Sequence, residues 1–465
     1  MREITRRSTL KLLGSGGAAA GVMGTTSARR RNSKESELRL FSEQGVPGAA
    51  EAVTQNGYAY VAVNDGYGGA NSGMTIVDWK QKGRPETVAE VALTDDLEES
   101  GDLEVKDVKV DGDIAGLAND TEDPGGAAFY DVSDPSNPQF LSFYEPEPPA
   151  NIHNLYIEGD HVYLTLGEPE NTDTDDDGDR DLVRLFGDAG VEIVDISDPR
   201  NPTNAATWYL KEELPDYAKA GVNPNHDVYV QDDLAYNAFW DAGVVVLDVS
   251  DPSNPQFVTQ FGAAEQGDEV IRPWNVNEES IGEYFSEVFP LKRYYTKPGN
   301  AHYVQPSPDG NYAYVGAETF PQLVNNDPTT SDYGGIKVFD TSDLDAVKQV
   351  GYISPPAVDG FRTSHNFDVT NNRLHASWYE GGVRTYDITD PTDPKELSAY
   401  NPDGYSFWTA VYERGTTVGS AYGRSEDGGG LVFLSDSRGR KQPPAFAGGD
   451  SPNGPEVNPD DRAGE

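Results

Sequence analysis

The sequence predicts an all-β chain folded as a seven-bladed β-propeller of four-stranded antiparallel blades, with the ring closed by an N-terminal strand. Three observations carry this. An Asp/Pro-rich turn recurs along the chain, each copy follows two alternating strands joined by a tight hairpin, and the units number seven, the last one short of a strand.

The turn is the most visible repeat. "YDVSDPSNPQFLSFY" (130–144) returns as "VDISDPRNPTNAATWY" (194–209), "LDVSDPSNPQFVTQF" (247–261) and "YDITDPTDPKELSAY" (386–400). Looser copies are "VDWKQKGRPETVAEV" (77–91), "FDTSDLDAVKQVGY" (339–352) and "LSDSRGRKQ" (434–442). In each, an apolar strand ends in Asp and a second strand follows the turn. Ser and Asp side chains can bond their own backbone there, and Pro fixes φ.

Upstream of these turns lie hairpins such as "HNLYIEGDHVYLTL" (153–166), "HDVYVQDDLAYNAF" (226–239) and "AVTQNGYAYVAV" (52–63). Their QNG, EGD and QDD turns suit the left-handed conformations of two-residue loops. The flanking residues alternate as half-buried strands do. The unit is therefore strand A, short turn, strand B, variable loop, strand C, SDPxNP turn, strand D. A four-stranded meander repeating every ~45–60 residues is the signature of a propeller blade.

The A strands start near Glu51, Lys106, His153, His226, His302, His365 and Trp408. The seventh unit has no convincing D strand. Residues 37–42, from the segment "ESELRLFSEQGVPGAAEA", are expected to supply it and remove the exposed edge.

Composition bounds the rest. The chain has 79 Asp+Glu against 35 Lys+Arg, a net charge of −44. Recurrent apolar runs argue against disorder, so the charge reads as that of a folded protein soluble in very high salt, from an extreme halophile. Without basic patches, nucleic acid is not an expected partner. There is no Cys, which excludes disulfides and thiolate chemistry.

Residues 1–28 carry paired arginines (Arg6, Arg7), then Leu10 and Lys11, a short Gly-rich apolar stretch and small residues at Ser27 and Ala28. This resembles a twin-arginine export signal. It implies a secreted or cell-surface protein, and no segment is long and apolar enough for a membrane span. The propeller is expected over residues 29–440, followed by an acidic Pro/Gly tail at 441–465.

The repeat resembles the LVIVD-repeat family of secreted and surface proteins, on "GYAYVAVNDGYGGANSGMTIVD" (57–78) and "DDLAYNAFWDAGVVVLDVSDPSNP" (232–255). The resemblance covers roughly residues 37–438. It implies a β-propeller in an extracellular setting and brings no defined reaction or catalytic residue.

Meander topology puts A–B and C–D turns on one face of the disc and B–C and D–A connections on the other. The second set holds the long segments, at 167–190, 261–302 and 317–335. Long insertions gathered on one face mark a working face. The expected role is an extracellular binding or interaction module whose partner is a protein, a glycan or a small molecule.

Four of the 6 histidines, His153, His226, His302 and His365, stand at the strand A starts of consecutive blades. They should ring the channel mouth on the long-loop face. Neutral imidazoles in such a ring suit Cu, Fe or Zn, with Glu51 as a further ligand or an orienting acceptor. The structural alternative is a bond from each His to the neighbouring blade. A metal-dependent enzyme, such as an oxidoreductase, is the second functional reading. His161 and His375 fall in B strands and read as packing or surface residues.

In "DTDDDGDRD" (173–181), Asp173, Asp175, Asp177 and Asp181 present oxygens at the spacing of a calcium-binding loop, with Gly178 for the sharp turn. Arg184 at the twelfth position rules out a full EF-hand. If calcium braces this loop, Asp175→Ala/Asp177→Ala should abolish the calcium-dependent part of the thermal stability. A melting curve that keeps its calcium dependence in that variant removes the assignment.

Overall fold

The structure, a computed structural model, describes residues 36–436 apart from 65, 67–70, 82, 98–102, 122–124, 170–188, 219–222, 264–299, 318–333, 359 and 424–428. The twin-arginine segment, the acidic loop with Asp173, Asp175, Asp177 and Asp181, and the tail lie outside the described residues.

The described chain forms seven four-stranded antiparallel blades. From the axis outward, blade one is β2 (Ala49–Gln55), β3 (Tyr58–Val63), β4 (Gly73–Asp78) and β5 (Glu86–Ala92). Blade two is β6 (Val105–Asp111) to β9 (Gln139–Tyr144), and blade three is β10 (Ala150–Glu158) to β13 (Thr203–Tyr209). Blade four is β14 (Asn225–Gln231) to β17 (Gln256–Phe261), and blade five is β18 (Ala301–Pro306) to β21 (Lys348–Ile353). Blade six is β22 (Phe367–Val369) to β25 (Lys395–Tyr400).

Blade seven closes the ring. Its inner three strands are β26 (Ser406–Glu413), β27 (Thr416–Gly423) and β28 (Gly430–Asp436), and its outer strand is β1 (Ser36–Gly45) from the other end of the chain. Strand β1 pairs antiparallel with β28 from Leu38↔Asp436 to Gly45↔Gly430. The closing strand is longer than residues 37–42. Its first two residues also pair in parallel with β25, which stitches blade seven to blade six.

Local chemistry sets the strand ends. The A–B hairpins take positive φ at Asn56 and Gly57, at Asp232 and Asp233, and at Arg414 and Gly415, the geometry of two-residue turns whose twist matches the strands. In the C–D turns, Asp131 accepts from the backbone N–H and hydroxyl of Ser133, and Asp134 does the same for Ser136. The turn at Asp248 and Asp251 repeats the pattern. These bonds hold Asp131, Asp134 and Asp248 below the usual carboxylate range.

The core lies between blades. Each neighbouring pair encloses its own apolar cluster: Phe129, Ile152 and Leu164 between blades two and three, for example, and Tyr314, Phe367 and Trp378 between five and six. Leu38 from β1 packs with Val383 and Phe407 between blades six and seven. Gly190 opens strand C of blade three, where a Cβ would meet the Trp208 carbonyl oxygen at 2.2 Å. Among the described residues no helix is long and apolar enough to cross a membrane.

Removing residues 1–45 would strip the outer strand, the Leu38 packing and the β28 ladder, whereas removing 1–34 would leave them. The longer deletion should cost roughly 5 kcal/mol, much of a domain's stability, and the shorter almost nothing. Denaturant unfolding in high salt measures both. Equal midpoints would show that the ring does not depend on this strand.

Candidate functional site

In a strand, alternate side chains face the axis, so one inner strand offers an inward residue every second position. A bulge at the strand head adds another. In blade two the ladder runs Val105↔Asn119 then Asp107↔Ala118, which makes Lys106 the extra residue. The same slip isolates His226, His302 and Trp408 in blades four, five and seven. In blades one and three the irregular stretch contains Glu51 and His153. Blade six differs, because β22 starts only at Phe367. His365 sits two residues ahead of it, held by its N–H to the Ser377 carbonyl at 3.1 Å.

A bulge breaks the pairing and re-aims a side chain. Here it brings the residues at the strand heads together around the channel mouth. His153 and His226 have ring centroids 4.1 Å apart, His226 and His302 4.0 Å, and His302 and His365 4.5 Å. Trp408 continues the arc 4.3 Å from His365, and Trp240 stacks on His226 at 18°. The four histidines thus form one contiguous arc across blades three to six.

Burial sets their charge. It pushes His226 and His302 well below the ordinary histidine range, with the neighbouring imidazoles adding to the effect. It brings His365 down to about 3. These three rings are therefore neutral at pH 7. Among the described residues, His226 Nδ1 and His365 Nδ1 are buried without a hydrogen-bond partner. His153 is half-buried, and its Nδ1 lies 3.0 Å from Asp120 Oδ2. The rings pack side by side, and among the described residues no three His, Asp or Glu side chains stand where they could together hold a metal ion.

Below the mouth is a second polar layer, contributed by the residue that follows each head. Asp107, Asn154, Asp227 and Asn366 line a cavity of ≈ 10 Å³ together with Glu51, Lys106 and parts of the imidazole arc. Asn154 Nδ2 donates to Asp227 at 2.8 Å, and Asn366 Nδ2 donates to Glu51 at 2.6 Å. Lys109 pairs with Asp107, whose other oxygen accepts from the Leu155 N–H at 3.0 Å. Deeper still, Gln305 accepts from the Val369 N–H at 3.1 Å, and Asp368 accepts from the Tyr412 N–H at 2.8 Å.

The charges interact strongly. Burial raises Glu51, the Lys109 ammonium opposes this and Asp107 adds to it; the balance is about 7. Burial also drives Asp227 well above the carboxylate range, against the pull of Lys109. Lys109 itself is raised, because Asp107, then Glu51 and Asp227, outweigh the cost of its burial. Asp120 shows the opposite outcome. Burial alone would raise it, but Lys106 at 2.5 Å and His153 hold its carboxyl well below the usual range.

Of the residues singled out in the sequence, His153, His226, His302, His365 and Glu51 come to one mouth. His375 is a packing residue, stacked on Tyr412 and bonded to Thr417 at 2.8 Å. His161 opens β11 (His161–Pro169), away from the channel. Sequence reasoning missed the second layer and Asp120. The signal was present in the polar pairs "KD", "HN", "HD" and "HN" that begin otherwise apolar inner strands at 106, 153, 226 and 365.

Comparisons agree with the repeat reading. The LVIVD repeat model matches residues 186–207 and 225–262, so the repeat is present in blades three and four. No curated protein matches the chain. Among solved structures, the β-propeller domain of Myceliophteria thermophila Cps50 (Swd1) is similar, sharing 10% identity with a TM-score of 0.51 over 86% of this chain and 99% of that one. A chain of the mitotic checkpoint complex gives 10% identity and a TM-score of 0.50, over 90% and 98%. At such identity these likenesses show the fold alone.

Lys106 and Asp120 are both buried, so removing Asp120 leaves the Lys106 ammonium only the partly exposed Glu104. Asp120→Ala should destabilise the protein by about 3 kcal/mol, and Lys106→Met/Asp120→Leu should recover most of that. The check is the denaturant midpoint. A double variant as unstable as Asp120→Ala would contradict the pairing argument.

Proposed function

We propose that this protein is a secreted propeller that acts as a binding module and takes its ligand at the channel mouth, on the face of the B–C and D–A connections. One observation carries the reading. In an arc of four imidazoles, His226 Nδ1 and His365 Nδ1 are buried and lack a hydrogen-bond partner. Buried polar atoms are paired in nearly all folded proteins, and the exceptions gather where a ligand completes them. The aromatic wall of Trp408 and Trp240 beside the arc gives such a ligand an apolar contact. A small polar molecule fits this chemistry, as does the polar tip of a glycan or protein loop.

A second reading is a metal-dependent enzyme, such as an oxidoreductase, with Cu, Fe or Zn on His153, His226, His302 and His365. What favours it is that burial keeps His226, His302 and His365 neutral, the form that binds metal. It requires the rings to turn from their side-by-side packing so that their nitrogens share one point. The acidic loop at 173–181 would hold calcium independently. The acidic composition fits a protein exported into high salt.

A thermal-shift screen of the full chain with short saccharides and small carboxylic acids, in parallel with Zn²⁺, Cu²⁺ and Co²⁺, separates these readings. A ligand of the mouth at 100 times its Kd should stabilise the wild type by about 2.7 kcal/mol and leave His226→Ala unmoved. Co²⁺ seated on imidazoles would add visible absorption bands that His226→Ala removes. Ligands that shift both proteins equally place binding elsewhere.

A further inference from the structure

The layer beneath the histidines has a feature that binding at the mouth does not explain. Asn154 and Asn366 are both 4% exposed and line the same small cavity. Each gives its NH₂ to a carboxylate, Asp227 or Glu51. With Asp227 and Glu51 ionised, that bond fixes the amide's orientation, because a carboxylate accepts and cannot donate. The amide oxygens must then point away from those carboxylates, and among the described residues both Asn154 Oδ1 and Asn366 Oδ1 are buried without a partner. Two orphaned carbonyl-type oxygens, on two residues that line one cavity, ask for a donor or a cation.

Charge decides between them. Asp107 and Lys109 form a pair of their own, and Lys106 is taken by Asp120 and Glu104. Glu51 and Asp227, 4% and 2% exposed, feel the Lys109 ammonium from a distance but make no direct ion pair with it or with another cation among the described residues. Two buried carboxylates and two amide oxygens from four different blades form an all-oxygen donor set whose charge a divalent ion neutralises. Hard cations select such sets, and calcium accepts carboxylate and amide oxygens in flexible geometry with water completing its shell. The cavity has room for a single ion or water.

We propose that the channel holds one calcium ion on Glu51, Asp227, Asn154 and Asn366, directly beneath the imidazole arc. This site is separate from the acidic loop at 173–181. The assignment goes beyond the reading of the mouth and can fail without it, because the mouth is tested by His226→Ala and this site by the oxygen donors.

The experiment uses the full chain carrying Asp175→Ala/Asp177→Ala, which silences the loop. The protein is stripped with chelator, dialysed against calcium and analysed for bound metal. One calcium per chain is expected to remain in this background. Adding Asn154→Ala/Asn366→Ala should remove it, and Asn366→Asp in place of Asn366→Ala should restore much of the affinity by returning an oxygen. Terbium offers an arm that leaves all four oxygen donors in place. Trp408 lines the cavity, so terbium bound there should emit on tryptophan excitation, be displaced by calcium, and dim with Trp408→Phe while calcium stoichiometry stays the same. No calcium in the loop-silenced chain, stoichiometry untouched by the channel substitutions, or terbium emission indifferent to Trp408→Phe would each overturn the site and leave a water in the cavity.

Discussion

Seven inner strands meet at one axis, and this crowding governs the molecule. Each inner strand carries polar side chains toward the axis, where little water can reach them. A buried polar group without a partner costs about 1–3 kcal/mol, and an unpaired charge costs more. The channel is therefore built as a set of mutual obligations between blades. Asn154 of blade three bonds Asp227 of blade four, Asn366 of blade six bonds Glu51 of blade one, and Asp107 of blade two accepts from the blade three backbone. These bonds cross the axis or the seams between blades, so they fix how the blades sit around it.

The layers differ in how fully they meet that demand. In the deepest layer, Gln305 and Asp368 each accept from backbone N–H groups of the next blade, an arrangement that reads as structural. At the mouth and just beneath it, imidazole nitrogens and amide oxygens are left over. The deficit thus lies toward the end of the channel where the inner strands begin. The same argument separates Asp120 from Asp227. Both are buried carboxyls, but only Asp120 has an ammonium in direct contact, whereas Lys109 acts on Asp227 without an ion pair, and their pKa values move in opposite directions as a result.

The two faces of the disc are chemically distinct. On the C–D face, acidic side chains are tied into their own turns, where Asp131, Asp134, Asp248 and Asp251 serve backbone geometry first. Much of the repeat's acidity is thus committed to turn structure and says little about a partner. On the other face the inner strands begin, bulge and expose the channel. The asymmetry comes from meander topology, which gathers all D–A arrivals at one end of the axis.

By itself, the sequence determined the repeat, the blade count, the closing strand and the set of residues at the strand heads. Each of these is local or periodic: a turn motif, an alternation of period two, or a recurrent position. His226 and its three counterparts could be placed at one mouth because topology follows from the repeat. What only the tertiary structure decided is how those side chains meet. The imidazoles pack side by side at 4.0–4.5 Å, a bulge rather than the simple strand start aims them inward, and blade six reaches the same place without a regular strand there. Pairings such as Asn366 with Glu51 join residues 315 positions apart. No local pattern encodes such a contact; it exists because closure of the ring brings the sixth blade and the first to a common axis.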